Sequence, residues 1–129
     1  MAEQHISEGL KRFIKEKIQT VLRLEVLLLL HHHQPRTFTA AEDANQLGFE
    51  SDTTAHELEN LEAIGVVESN SDRTKYKYHP RNRTLSYMVD QLAVVYSRQR
   101  VPILSVILAE HPERTRLFTE AFKIIRRND

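Results

Sequence analysis

The chain has 129 residues, with 18 Lys and Arg against 18 Asp and Glu, a formal net charge of zero and 40% hydrophobic residues. That length suits one domain with short appendages, that composition is too apolar for a disordered chain, and balanced charge argues against holding nucleic acid by bulk positive charge. The chain has no cysteine and three glycines, which excludes disulfides, thiolate metal sites, thiol nucleophiles and Gly-rich phosphate loops.

The start, Met1-Ala2-Glu3-Gln4-His5, leads into charged amphipathic sequence with no apolar signal region. Ser7 is placed to cap a first helix carrying Leu10, Phe13, Ile14 and Ile18 at helical spacing. Thr20 either caps a second helix or lies within one helix running from residue 7 to about 33. The stretch 21–30 is apolar almost all round, which predicts a helix buried on several sides. It ends at His31-His32-His33, and Pro35 stops it. Thr37-Phe38-Thr39 suits one rung of a strand. Thr39 then caps a short helix over 40–47 with Glu42 in the capping-box position, and Gly48 closes it.

Ser51 is expected to cap a helix over 52–64 with a core stripe of Ala55, Leu58, Leu61 and Ile64, and Gly65 ends it. Val66-Val67-Glu68-Ser69 reads as a strand and Asn70-Ser71-Asp72-Arg73 as a turn. Thr74-Lys75-Tyr76-Lys77-Tyr78 alternates, tyrosines to one face and lysines to the other, so the two runs make a hairpin. Asn82 or Thr84 opens a helix with Leu85, Met88, Val89, Leu92 and Tyr96 on one side, running to about Arg98. Pro102 either kinks it or sits in the first turn of a new one. A last helix from about Glu113 places Leu117, Phe118, Ala121, Phe122 and Ile125 inward. The longest charge-free apolar stretch, 101–109, is far short of the roughly 20 residues that span a bilayer. A cytoplasmic protein without a membrane partner is expected.

The zero total hides an asymmetry. Residues 1–64 carry a net −5 and residues 65–129 a net +5. Between 37 and 64 there are seven acids (Glu42, Asp43, Glu50, Asp52, Glu57, Glu59, Glu62) and no Lys or Arg, whereas 72–83 holds five bases and one acid. Two such patches make either a dipolar surface that helps solubility or self-association, or two faces for different partners.

Helix, tight turn, helix and hairpin in this order describe a winged helix-turn-helix. The run Ala55-His56-Glu57-Leu58-Glu59-Asn60-Leu61-Glu62-Ala63-Ile64-Gly65-Val66-Val67-Glu68 resembles the junction from recognition helix to wing in MarR- and ArsR-type bacterial transcriptional regulators. Phe38-Thr39-Ala40-Ala41-Glu42-Asp43-Ala44-Asn45-Gln46-Leu47-Gly48-Phe49 resembles the preceding helix and turn. The resemblance spans about residues 20–79. The fold class expected is mainly α with a small β-hairpin, a winged helix-turn-helix over 20–80 between an N-terminal helix in 1–19 and C-terminal helices in 81–129.

In function, the resemblance implies a non-enzymatic, DNA-binding transcriptional regulator acting as a homodimer through its flanking helices. Carried over, Ser51, Thr53, Thr54, His56, Glu57 and Asn60 would face the major groove of double-stranded DNA, with Asn60 suited to an adenine edge and the Thr methyls to thymine. Arg73, Lys75 and Lys77 on the wing would hold phosphates, with Arg81 and Arg83 behind them. Two departures bear on this transfer. The recognition helix lacks Arg and Lys and carries Asp52, Glu57, Glu59 and Glu62. Asp43 stands where these families place an aliphatic core residue, so either that helix is rotated, or Asp43 is partly buried and needs a partner, or it lies at a solvated edge. The alternative function is a protein-binding winged helix whose acidic face meets a basic partner.

No catalytic motif and no cofactor signature is present. His31, His32 and His33 point about 100° apart on a helix and do not converge on one metal ion, so no metal ligand is assigned. His111 reads as a helix stop.

Overall fold

The computed structural model describes residues 6–109. In chain order it holds α1 (Glu8–Phe13), which runs on into a π-helical turn (Ile14–Ile18), then α2 (Val21–His32), α3 (Ala40–Leu47), α4 (Ser51–Ile64), β1 (Val67–Ser69), β2 (Tyr76–Tyr78), α5 (Arg83–Arg98) and α6 (Arg100–Ala109). The predicted last helix with Leu117, Phe118, Ala121, Phe122 and Ile125, and His111 before it, lie outside the described residues.

Local chemistry sets most boundaries. Ser7 Oγ accepts the Leu10 amide at 3.2 Å and Thr20 Oγ1 that of Arg23 at 3.1 Å, so α1 and α2 are separate helices. Gln19 between them sits in the left-handed region at φ 68°. Thr39 and Glu42 complete a reciprocal capping box at α3, a device that stabilises a helix start by about 1 kcal/mol. Gly48 and Gly65 close α3 and α4 at φ 77° and 100°. The start of α4 differs from the expectation by one residue: Ser51 is already helical, and Glu50 is the N-cap, its side chain accepting the Thr53 hydroxyl at 3.4 Å and capping no backbone amide. Pro102 lies in the first turn of α6, where its missing N–H costs nothing, and α5 and α6 meet at 116°.

α2 is the centre of the core. Its Leu24, Val26, Leu27 and Leu30 are buried among Ile14 and Ile18, Leu58 and Leu61 of α4, and Val89 and Leu92 of α5. β1 and β2 pair antiparallel with Val67 opposite Tyr78 and Ser69 opposite Tyr76. The rung at Phe38 joins them by exchanging both backbone bonds with Tyr76 at 2.8 Å. Helix pair, rung and hairpin therefore form one unit, the winged helix expected from the sequence, with α1, α5 and α6 packed around it.

Candidate nucleic-acid interface

The wing is built on two buried tyrosines. Tyr76 and Tyr78 are 4% and 6% exposed, and burial raises both phenol pKa values. The alternation of β2 turns Lys75 and Lys77 away from them: Lys75 is exposed and Lys77 half-buried. Asn70 organises the tip, its Oδ1 accepting the amides of Thr74 at 2.9 Å and Lys75 at 3.0 Å. Arg73 is exposed and held at φ 58° by a bond from its amide to the Asn70 carbonyl at 3.0 Å. Asp72 is the acid of the tip, and the Thr74 hydroxyl donating to it holds its pKa below the usual value. Arg81 is exposed and lies behind the wing, over the end of α4. Its amide donates to the Gly65 carbonyl at 2.7 Å and its guanidinium lies over Gly65, whose φ of 100° is what favours glycine there.

On α4 the stripe is turned from the expected one. Thr54, Glu57, Leu58 and Leu61 are buried, while Ala55 and Ile64 are only half-buried. Two of the residues expected to face a groove are thereby corrected. Thr54 is fully buried and donates its hydroxyl to the Glu50 carbonyl at 2.8 Å, so it has nothing to offer a base. Glu57 points inward and takes the Arg23 Nε at 2.7 Å. A polar side chain occupies the inner face here because each has a partner there. Ser51, Thr53 and His56 are exposed; Asn60 is half-buried with its amide 3.5 Å from Glu57 Oε1.

The seven acids of this unit are not equivalent. Glu57 is paired with Arg23. Glu62 accepts the Ser69 hydroxyl at 2.7 Å. Asp43 is wholly buried and neither carboxylate oxygen has a hydrogen-bond partner; burial first, then the charge of Glu42, pushes its pKa from 3.8 to about 7, against the opposing pull of Arg36. Of the readings open from the sequence, burial is the one found, without the partner. Glu42, Glu50, Asp52 and Glu59 remain as the exposed acids of the α3–α4 face.

Sequence reasoning missed the residues that fasten this unit to the rest. Arg23 and Glu25 interrupt the apolar run of α2, and that interruption was the available signal. Arg23 reaches α4, and Glu25 Oε2 accepts the Tyr96 hydroxyl at 2.7 Å. Burial together with that bond pushes Tyr96 up to about 12. The histidine run ends α2: His31 Nε2 is 2.9 Å from Asp90 Oδ1 and meets Tyr78 edge-on, while His33 meets both His32 and Phe38 edge-on. Among the described residues no group of three His, Asp or Glu converges as a metal site, and no single helix is long and apolar enough to cross a membrane.

No family model and no curated protein matches the chain. Solved structures do. A point mutant of Staphylococcus aureus MepR is similar at TM-score 0.52 and 15% identity over 95% of this chain and 89% of that one. MepR itself, described as a transcription regulator of the S. aureus multidrug efflux pump MepA, is similar at 0.49 and 18% over 96% and 93%. A point mutant of Escherichia coli MarR is similar at 0.49 and 14% over 95% and 99%. The likeness to the MepR point mutant carries the fold, a winged helix that is mostly helical with a two-stranded wing. At these identities the likeness is one of fold.

Proposed function

We propose that this protein is a non-enzymatic, DNA-binding transcriptional regulator that grips duplex through its wing. The observation that carries the reading is the wing itself: a hairpin rooted by Tyr76 and Tyr78 in the core that directs Arg73 and Lys75 to solvent beside the end of α4. Arg73, Lys75, Lys77 and Arg81 are assigned to phosphates, and Thr53, His56 and Asn60 to base edges. The pairing of Glu57 and the raised pKa of Asp43 support the reading, because the first neutralises one of the seven acids and the second leaves another only partly ionised at neutral pH. The fold is shared with the MepR point mutant, and MepR is described as a transcription regulator.

The functional unit is a two-fold dimer with winged units at half-sites about one helical turn or more apart. Residues 1–19 and 81–129 are assigned to the dimer contact. Tyr87, Val94 and Val101 on α5 and α6 are 60%, 52% and 72% exposed, apolar surface that supports a second copy there. Tyr87 and Val94 edge a groove of about 500 Å³ floored by Leu10. No cofactor or metal enters this reading, and the protein acts in the cytoplasm.

A second reading rests on a specific observation: Glu42, Glu50, Asp52 and Glu59 are exposed on a face that has no Lys or Arg between Arg36 and Arg73. A winged helix of that kind suits a basic protein partner. Titration of a fluorescent random-sequence duplex at about 50 and about 200 mM salt separates the two. Binding that weakens steeply with salt supports the regulator; no binding at the lower salt refutes it and leaves the protein module.

A further inference from the structure

Arg23 makes directed bonds on three sides from the third position of α2. Its Nε donates to Glu57 Oε1 on α4 at 2.7 Å, and its Nη1 donates to the Lys17 carbonyl at 2.8 Å and to Gln19 Oε1 at 3.3 Å. The ion pair is enclosed, with the two side chains 12% and 11% exposed. The same Glu57 oxygen faces the amide of Asn60. A continuous polar line therefore runs from the end of the π-helical turn, through Arg23 and Glu57, to a residue on the reading side of α4.

The break between α1 and α2 is what creates this line. The last carbonyls of a helix have no partner inside it. The left-handed Gln19 turns the chain so that the Lys17 carbonyl meets the guanidinium, where an uninterrupted helix would have bonded it internally. A guanidinium is a rigid planar fork, so bonds on different edges fix an angle and a register between the groups they join. Apolar contacts between α2 and α4 fix neither so narrowly.

We propose that Arg23 is a positioning residue that registers α4 against the N-terminal arm, with Glu57 as its seat, so that a displacement of the arm is transmitted to the face that carries Asn60. The role given to Asn60 rests on the DNA-binding reading; the link itself does not. While Arg23 holds both ends the coupling is reciprocal, so loosening either end loosens the other; without the guanidinium the two ends are independent.

Amide hydrogen exchange on the full chain, read by segment, tests it. In Arg23→Leu, α4 and residues 14–20 exchange at least about tenfold faster while the β1–β2 hairpin keeps its rate, since local opening is resolved by element. Arg23→Lys, which keeps the charge and loses the fork, shows the same pattern with smaller size and carries the comparison if the leucine variant does not fold. The reversed pair, Arg23→Glu with Glu57→Arg, restores attraction to α4, but a carboxylate cannot donate to the Lys17 carbonyl. Protection returns to α4 and not to 14–20. Unchanged exchange in α4 and the arm, equal acceleration of every element, or recovery of both ends in the reversed pair would each overturn the link. Binding of a random-sequence duplex by the same proteins keeps the two ideas apart. A wild type that binds no duplex refutes the DNA-binding reading and leaves the exchange result standing; a wild type that binds it with unchanged exchange in Arg23→Leu refutes the link alone.

Discussion

The helix pair α3–α4 and the wing β1–β2 adjoin in sequence, share one core and handle charge in opposite ways. The helix pair is acidic and turns part of its acidity inward, with Asp43 buried and Glu57 paired to Arg23. The wing turns its tyrosines inward and its bases outward. In a strand, alternation separates the two kinds of residue by face, so the basic surface follows from the pattern alone. In a helix, the angle at which the element docks decides which acids remain in solvent. The lesson is that net charge per segment describes the wing well and overstates the acidity of the helix pair.

Asp43 is the sharpest point at which to test that contrast. Its pKa in the folded protein, about 7, lies above the ordinary 3.8, so the folded state holds this proton more tightly than the unfolded state. The stability it allows is complete below about pH 4, declines as pH rises and levels off above about 7. Asp43→Asn cannot ionise. Relative to wild type it gains stability across that window, by up to about 4 kcal/mol at pH 8. Chemical denaturation of both proteins at several pH values checks this. Parallel curves would mean that Asp43 is not buried as a lone acid.

On the wing side, Tyr76→Ala removes the anchor beneath Lys75 and Lys77. Loss of a buried aromatic of this kind costs about 3 kcal/mol. Thermal unfolding gives the size, and a loss below about 1 kcal/mol would show the hairpin to be held by its backbone bonds instead.

Smaller effects come from exposed charge. Glu50→Gln with Glu59→Gln is expected to tighten binding to random duplex a few-fold at low salt, whereas Glu57→Gln, already turned inward, leaves affinity for duplex unaided and lowers stability. An equal gain from all three positions would place Glu57 at the surface. In sedimentation the protein is expected to run at about twice its monomer mass, and Val94→Asp to return it to the monomer. A wild-type monomer at micromolar concentration would remove the two-half-site arrangement.

Much of this architecture was legible in the sequence wherever the determinants are local. The capping box of Thr39 and Glu42, the glycines after α3 and α4 and the tyrosine–lysine alternation each involve residues a few positions apart; the Phe38 rung was legible from its own β-branched and aromatic neighbours, although its partner Tyr76 is distant in sequence. The phase of α4 was not legible. A periodicity argument puts Ala55 and Ile64 inside, and the protein buries Thr54 and Glu57 instead, because the partner for Glu57 stands 34 positions away on α2. The π-helical turn after α1 was not legible either: Ile14 and Ile18 satisfy a helical spacing whichever way the turn is wound, and both are buried. Of the candidate interface, the exposed positions Thr53, His56, Arg73, Lys75 and Arg81 were readable from pattern; the inward turn of Thr54 was not.

On the proposed reading the wing, and not the helix pair, supplies the grip on DNA. The most direct measurement compares wild type with the Arg73→Ala, Lys75→Ala, Lys77→Ala variant on random-sequence duplex across a salt series. Wild type should show a steep linear loss of log affinity with log salt, and the variant a slope shallower by about 2 to 3 with weaker binding throughout. Equal slopes and equal affinities in the two proteins would contradict the claim.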